Sequence, residues 1–310
     1  MSQSKMKFDS IEKKSLEIAD HIRKNNKLLV EVLTNYETTE VAKDEIERTL
    51  DLLENLKENS SYFSGNKIES CAAFLPSNQP LYALFCFVVI PSFQSKTAYV
   101  RVPGVMRYFF GELLKVLNFY EYCPSVKVLA ITQGEYLEII TATKFSHTLN
   151  RQVPNIKVVI FTGNPQNIEK IKKMIHKETL FIGNGSGHNP IVVTKSANIS
   201  QAVKSVVRLQ LYNQGQDCAA PNSILVKSTT YDDFIKQLIL SLEKVVVGKY
   251  NTKGVSVGPT TKSSNLKNIT NFLVANYQWI SKKRSAWIDF SQKLIYPILV
   301  EKPLDEGGQL

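Results

Sequence analysis

Residues 8–60 contain neither Gly nor Pro, and their apolar positions recur at Ile11, Leu16, Ile18, Ile22, Leu28, Leu29, Val32 and Leu33, then at Val41, Ile46, Leu50, Leu52 and Leu53. Apolar side chains three or four apart form a stripe along a helix, so this stretch predicts two or three helices. From Ile68 onward the rhythm changes. Short β-branched or aromatic runs predict strands over 70–75, 98–102, 126–131, 158–161, 191–193 and 223–226. Helical spacing separates them over 81–90, 105–117, 167–176, 199–212 and 231–244. Strands alternating with helices of this length build βαβ units, so the expected fold class is α/β with a mostly parallel sheet. The glycine-rich stretch Gly183-Asn-Gly-Ser-Gly187 is the expected boundary between two lobes. The division reads as a helical segment over 1–66, a first lobe over 67–183 and a second over 184–310.

A chain of 310 residues has room for about two domains. With 43% apolar and 21% charged residues it is neither disordered nor collagen-like. The net charge is +10, but residues 1–60 carry 10 basic and 13 acidic side chains, so the excess lies on the body. That suits an anionic ligand such as a phosphate-bearing cofactor, or simply a basic surface. The basic residues are dispersed, with no stacking motif or helix-turn-helix text, which argues against a nucleic-acid partner. The longest apolar run, Leu81 to Ile90, ends at Pro91 and is about half of the roughly 20 residues a membrane span needs. The start, Met1-Ser-Gln-Ser-Lys, lacks the apolar stretch of a secretory signal. Cys71, Cys86, Cys123 and Cys218 are too sparse for a disulfide scaffold and lack zinc-binding spacing, so no metal site is expected. The expectation is a cytoplasmic protein with free thiols.

Cys71, Cys86 and Cys123 sit in apolar text, whereas Cys218 stands in Tyr212-Asn-Gln-Gly-Gln-Asp-Cys-Ala-Ala220, between a helix and a strand. A thiol acts as a nucleophile only as thiolate, which needs a polar, partly exposed setting. Taken alone, such a cysteine is more often packing than chemistry. Its neighbourhood changes the reading. Asn189-Pro-Ile-Val-Val193, Ala202, Asn213-Gln-Gly-Gln-Asp-Cys218 and Asn222-Ser-Ile-Leu-Val226 together resemble the active-site region of the aldehyde dehydrogenase superfamily. Leu75-Pro-Ser-Asn78-Gln-Pro80, Ala98-Tyr-Val-Arg101-Val-Pro103, Val159-Ile-Phe-Thr-Gly163, Val247-Gly248 with Val257-Gly-Pro259, and Leu294-Ile-Tyr-Pro297 through Pro303 resemble further family segments in family order. Several short matches in order are far more specific than any one of them.

The resemblance implies a Rossmann-like cofactor lobe joined to a partial thiol-bearing α/β catalytic lobe. It implies nicotinamide-dependent oxidation of an aldehyde, or reduction of an acyl thioester. Cys218 would attack the carbonyl carbon, with the Asn78 amide and the Cys218 N–H holding the oxyanion. Cofactor-binding positions would be Arg101, Pro103, Thr162, Gly163 and Asn164. The family's ribose-binding carboxylate is replaced by Gly104, and Arg101 suits a 2′-phosphate, so NADP is expected over NAD. Asn164 can cap the following helix with Pro165 in its first turn, which leaves a pyrophosphate site possible there.

Two departures concern turnover. Asn184 occupies the family's general-base Glu position, and a neutral amide cannot accept a proton from water. Coenzyme A could then serve as acyl acceptor; His188 is a candidate substitute base, or a solvent-facing residue at the family's Lys position. The sequence also stops at Asp305-Glu-Gly-Gly-Gln-Leu310 without a Glu-x-Phe-Gly-Pro motif. The expectation is therefore a truncated member with impaired turnover, oligomeric only in a longer form, and the alternative is an inactive relative that keeps the fold to bind nucleotide or a partner. Tyr277-Gln-Trp279 through Trp287 could line a substrate entrance or simply pack.

Overall fold

The computed structural model describes residues 3–63, 65–142, 145–152, 155–260 and 263–303; the expectations placed on Asp305–Leu310 lie outside them. By its internal contacts the chain forms two units, Met1–Leu33 with Ala42–Ser186, and Thr34–Val41 with Gly187–Leu310.

β-Branched and aromatic side chains pack well on a pleated surface, and the runs rich in them form the sheet of the first unit. Its strands are β1 (Ile68–Phe74), β2 (Ser95–Arg101), β3 (Val126–Leu129), β4 (Val158–Thr162) and β5 (Leu180–Asn184), all parallel, in the order β3-β2-β1-β4-β5. The order reverses between β1 and β4, which is where open α/β sheets form a ligand crevice. Register places Leu129, Arg101, Phe74, Phe161 and Gly183 in one row across the sheet. The loops that follow these strands therefore leave from a single edge.

The long apolar periodicity at the start forms α1 (Gln3–Lys24), α2 (Asn26–Leu33) and α3 (Thr39–Glu54), with Ile18, Ile22, Leu29, Leu33, Ile46 and Leu53 buried. These helices join the first unit, apart from the start of α3. The predicted 81–90 helix opens as α4 (Pro80–Leu84) and runs on through a wide turn at Phe85–Val89 to Ile90–Ser92. Next come α5 (Arg107–Val116), α6 (Gln133–Thr141) and α7 (Pro165–Lys172).

Two of these first-unit elements differ from the sequence expectation. Strand β5 was not predicted and takes in the first residues of the glycine-rich stretch, its Asn184 pairing with Thr162, while the two units part between Ser186 and Gly187. Helix α6 was not predicted, although Thr132 and Glu135 form a reciprocal capping box in front of it, a signature readable from their spacing. Tyr136 of α6 is wholly buried among Ala72, Phe74, Tyr99, Val159 and Phe161. Its hydroxyl accepts from the Ala73 N–H at 3.1 Å and has the carbonyls of Tyr99 and Ala73 at 2.9 and 3.0 Å for its proton. A buried phenol without such partners would cost about 1–3 kcal/mol.

In the second unit β6 (Pro190–Val193) and β7 (Ser223–Val226) pair in parallel, joined through α8 (Ile199–Leu211). Helix α9 (Ser228–Leu242) follows β7. Val193, Val203, Val206, Phe234, Ile235, Leu238 and Leu242 make the core of this βαβα arrangement. Asn198 caps α8, accepting from the Gln201 N–H at 3.0 Å. A helix α10 (Ser263–Ala275), also unpredicted, follows.

Candidate active site

Asn78 lies in the first unit, in the turn that leaves the C-terminal end of β1, and is half-buried. The next residue, Gln79, is left-handed with φ of 49°. Two residues of α3 hold it there. Arg48 donates to Gln79 Oε1 at 3.2 Å and lies over the Tyr82 ring with its guanidinium carbon 4.1 Å from the centroid. Buried Glu45 accepts the Tyr82 N–H at 2.9 Å, in place of the missing carbonyl partner at the start of α4. These supports were not foreseen: a stripe of helix residues carries no signal for which of its polar members reaches a distant loop.

The expected cofactor positions share the same sheet edge. Arg101 ends β2 and its Nε donates to the Ile131 carbonyl at 3.2 Å. Burial lowers its pKa, and the neighbouring Arg107 guanidinium lowers it further; Arg remains charged regardless. Pro103 follows, and a side chain built on Gly104 would meet nothing within 4 Å. Across the reversal point, Thr162 ends β4 and the Gly163 N–H donates to the Asn184 carbonyl at 3.0 Å. Asn164 caps α7, accepting from the Asn167 N–H at 2.8 Å, with Pro165 as the first helical residue. The Pro165 nitrogen has no hydrogen and the Asn167 N–H is taken by the cap, so the Gln166 N–H is the donor left at this end of the helix. The Asn184 amide donates to Thr162 Oγ1 at 3.4 Å.

The nucleophile candidate lies in the second unit. Helix α8 ends at Leu211, and Asn213, Gln214 and Gly215 follow with φ of 45°, 59° and 70°. Left-handed geometry costs a non-glycine residue roughly 1–2 kcal/mol, so the turn is held from outside. Gln214 Nε2 donates to the Tyr250 hydroxyl at 2.7 Å, which in turn donates to the Pro259 carbonyl at 2.5 Å. Gly258 lets that ring approach, since a Cβ there would lie 2.1 Å from Tyr250 Cε1. Asn213 is buried with its Nδ2 lacking a hydrogen-bond partner.

Cys218 itself is exposed, unlike buried Cys71 and Cys123. Partial burial raises its thiol pKa, and the charge and hydrogen bond of adjacent Asp217 raise it further. Burial also pushes up the Cys71 thiol, and pushes Cys123 to about 11. Cys218 therefore combines access with a site that does not favour thiolate in the resting protein. Asn189 Nδ2 donates to the Cys218 carbonyl at 2.7 Å, and Asn222 Nδ2 approaches His188 Nδ1 at 2.7 Å. His188 is exposed, as its solvent-facing reading expected.

The aldehyde dehydrogenase family model matches residues 138–278. Lactaldehyde dehydrogenase of Methanococcus maripaludis is 31% identical over 121 residues, covering 38% of this chain and 25% of that protein. Human 2-aminomuconic semialdehyde dehydrogenase is 24% identical over 201 residues, covering 64% of this chain and 39% of that protein. Among solved structures, succinic semialdehyde dehydrogenase from Streptococcus pyogenes, in complex with NADP+, superposes with a TM-score of 0.81 at 14% identity over 94% of this chain and 66% of that one. Betaine aldehyde dehydrogenase from Staphylococcus aureus gives 0.77 at 17% identity over 94% and 61%. The similarity to the aldehyde dehydrogenase family thus covers a little under half of the chain, and the solved structures share its α/β fold.

The family match contains Thr162, Gly163, Asn164, Asn184 and Cys218, while Asn78, Arg101 and Pro103 precede it. The matched stretches span well under half of the curated aldehyde dehydrogenases named above. Of the aromatic positions after α10, Tyr277 and Trp287 are exposed, and Trp287 stacks on Tyr296 with ring centroids 4.0 Å apart. Among the described residues no helix is long and apolar enough to cross a membrane.

Proposed function

We propose that this chain carries the thiol chemistry of an aldehyde dehydrogenase, with Cys218 as nucleophile. The observation that supports it most is the exposed cysteine just past a left-handed turn, inside the stretch matched by the family. In this reading Cys218 Sγ, as thiolate, bonds to the carbonyl carbon of an aldehyde. The Cys218 N–H is a donor to the oxygen that becomes negative, worth about 3–4 kcal/mol when preorganised. A bound nicotinamide supplies the hydride acceptor. Cys218 is left acylated as a thioester, which must be hydrolysed or passed on.

The residues of the first unit fit a phosphate-bearing dinucleotide. Arg101 and Arg107 supply cationic donors, and the end of α7 offers the Gln166 N–H where a helix start favours anions. No carboxylate stands at Gly104 to take a ribose hydroxyl, so the donor set favours NADP over NAD. The S. pyogenes relative was solved with NADP+, which agrees with this choice.

A second reading has its own support. Asn184 cannot act as a base, and its amide is engaged with Thr162; the Cys218 thiol is pushed up and not down. Both favour slow turnover or an inactive relative that retains the fold. The two separate by assay. The chain is mixed with a short aldehyde and NADP+ or NAD+, with and without coenzyme A, and the reduced nicotinamide is followed by absorbance. Signal that Cys218→Ala abolishes supports the enzyme, with NADP+ expected to be preferred. Signal only with coenzyme A assigns it as the acyl acceptor, and no signal in any arm leaves the inactive reading.

A further inference from the structure

Resting on the assignment of Cys218 as nucleophile, we propose that Asn189 is a positioning residue that fixes the peptide joining Cys218 to Ala219. That peptide is held at both of its polar atoms. Its carbonyl oxygen accepts from Asn189 Nδ2 at 2.7 Å, and its N–H, on Ala219, donates to Asp217 Oδ1 at 2.9 Å. The turn is closed by the Ala220 N–H donating to the Asp217 carbonyl at 3.0 Å. With carbonyl and N–H both tied, the peptide plane cannot swing, and the backbone torsions on either side of it are set.

The two ties differ in kind. Asp217 is one residue away and moves with the turn. Asn189 precedes Pro190, the first residue of β6, so its bond anchors the turn to the sheet of the second unit. The approach needed for this depends on Gly187: a Cβ there would lie 2.1 Å from the Cys218 oxygen and 2.4 Å from Asn189 Nδ2. A second link between the same two segments joins His188 and Asn222. The segment 187–189 is therefore shaped to press against the cysteine turn, with Asn189 making the contact that reaches the nucleophile's own peptide. Small displacements of a reacting group cost on the order of a hundredfold in rate, so a tie at this point sets how the thiol and the Cys218 N–H are presented.

The test compares the full chain with Asn189→Ala and Asn189→Leu, which remove the donor without adding charge; Leu keeps the branched outline of Asn. Exchange of the Ala219 amide hydrogen is followed by mass spectrometry alongside steady-state kinetics and thermal unfolding. In whichever variant retains the wild-type melting temperature, Ala219 exchange should rise about tenfold or more. Its kcat should fall by about tenfold or more while KM for aldehyde and cofactor stays within about twofold. Unchanged exchange at Ala219 overturns the proposal, as does faster exchange with kcat intact. If the wild-type chain forms no reduced nicotinamide, the dehydrogenase reading fails, and Asn189 is then judged by exchange together with the rate at which iodoacetamide alkylates Cys218. Under that condition faster exchange with an altered alkylation rate upholds the positioning role, and an unaltered rate overturns it.

Discussion

At the scale of single residues, the proposed chemistry turns on what stands beside Cys218. Burial raises the thiol pKa and Asp217 adds to it, so the thiolate fraction near neutral pH is smaller than for a free cysteine. Asp217→Asn keeps the oxygen that accepts the Ala219 N–H and removes the charge. Alkylation of Cys218 by iodoacetamide at neutral pH should then speed up by about two- to fivefold, and the midpoint of its pH profile should move down. No acceleration would show that Asp217 is not what restrains the thiol. Gly104 offers a second test, since the space beside it is open. Gly104→Glu should restore a ribose-hydroxyl acceptor and repel a 2′-phosphate, raising the dissociation constant for NADP+ about tenfold relative to NAD+. Titration calorimetry with both nucleotides reads this directly.

At the scale of elements, helices act here as holders of loops. Helix α3 supports the turn bearing Asn78 through Arg48 and Glu45, and α6 bridges β1 and β2 through Tyr136. Helix α6 also secures the segment after it. Burial pushes the Glu138 carboxyl up, but hydrogen bonds from Ser146, Thr148 and His147 outweigh it and bring the pKa from 4.5 to about 2. A depressed carboxylate contributes stability that is complete above its unfolded pKa and lost as pH falls through the folded one. The urea midpoint of Glu138→Gln should therefore lie below wild type at neutral pH. The gap should close as pH falls from 4.5 towards 2. A gap that persists at the acid end would mean that the bonds, and not the charge, carry the effect.

At the scale of the whole molecule, the proposed cofactor and thiol residues fall on different units. The first presents five parallel strand ends along one edge, with Arg101, Thr162 and Asn164 on or just past it. The second presents a cysteine turn backed by a small βαβ core. If the first unit is where nucleotide binds, NADP+ at about a hundred times its dissociation constant should stabilise the folded chain by about 2.7 kcal/mol. Hydrogen exchange should slow in 75–79, 101–107 and 162–167. Slowing confined to the second unit would move the cofactor site there.

Much of this was legible from residues alone, because it depends on local spacing. Helical stripes at the start, β-branched runs, the α/β alternation and the odd cysteine out all follow from periods of 3.6 and 2 and from composition. Asn164 reads as a cap for the same reason. Other features required the folded chain. Strand β5 escaped notice because it is an edge strand with two glycines near its end and an exposed face, so it lacks the apolar alternation of a buried strand. The strand order, which sets where the sheet edge reverses, is a choice among long-range pairings that no local pattern encodes. The clamp on Cys218 is of the same kind. Asn189 and Cys218 lie 29 positions apart, and only the parallel pairing of β6 with β7 brings the residues ahead of one strand against the turn ahead of the other. Sequence determined which groups could react; pairing between distant strands decided which of them are held.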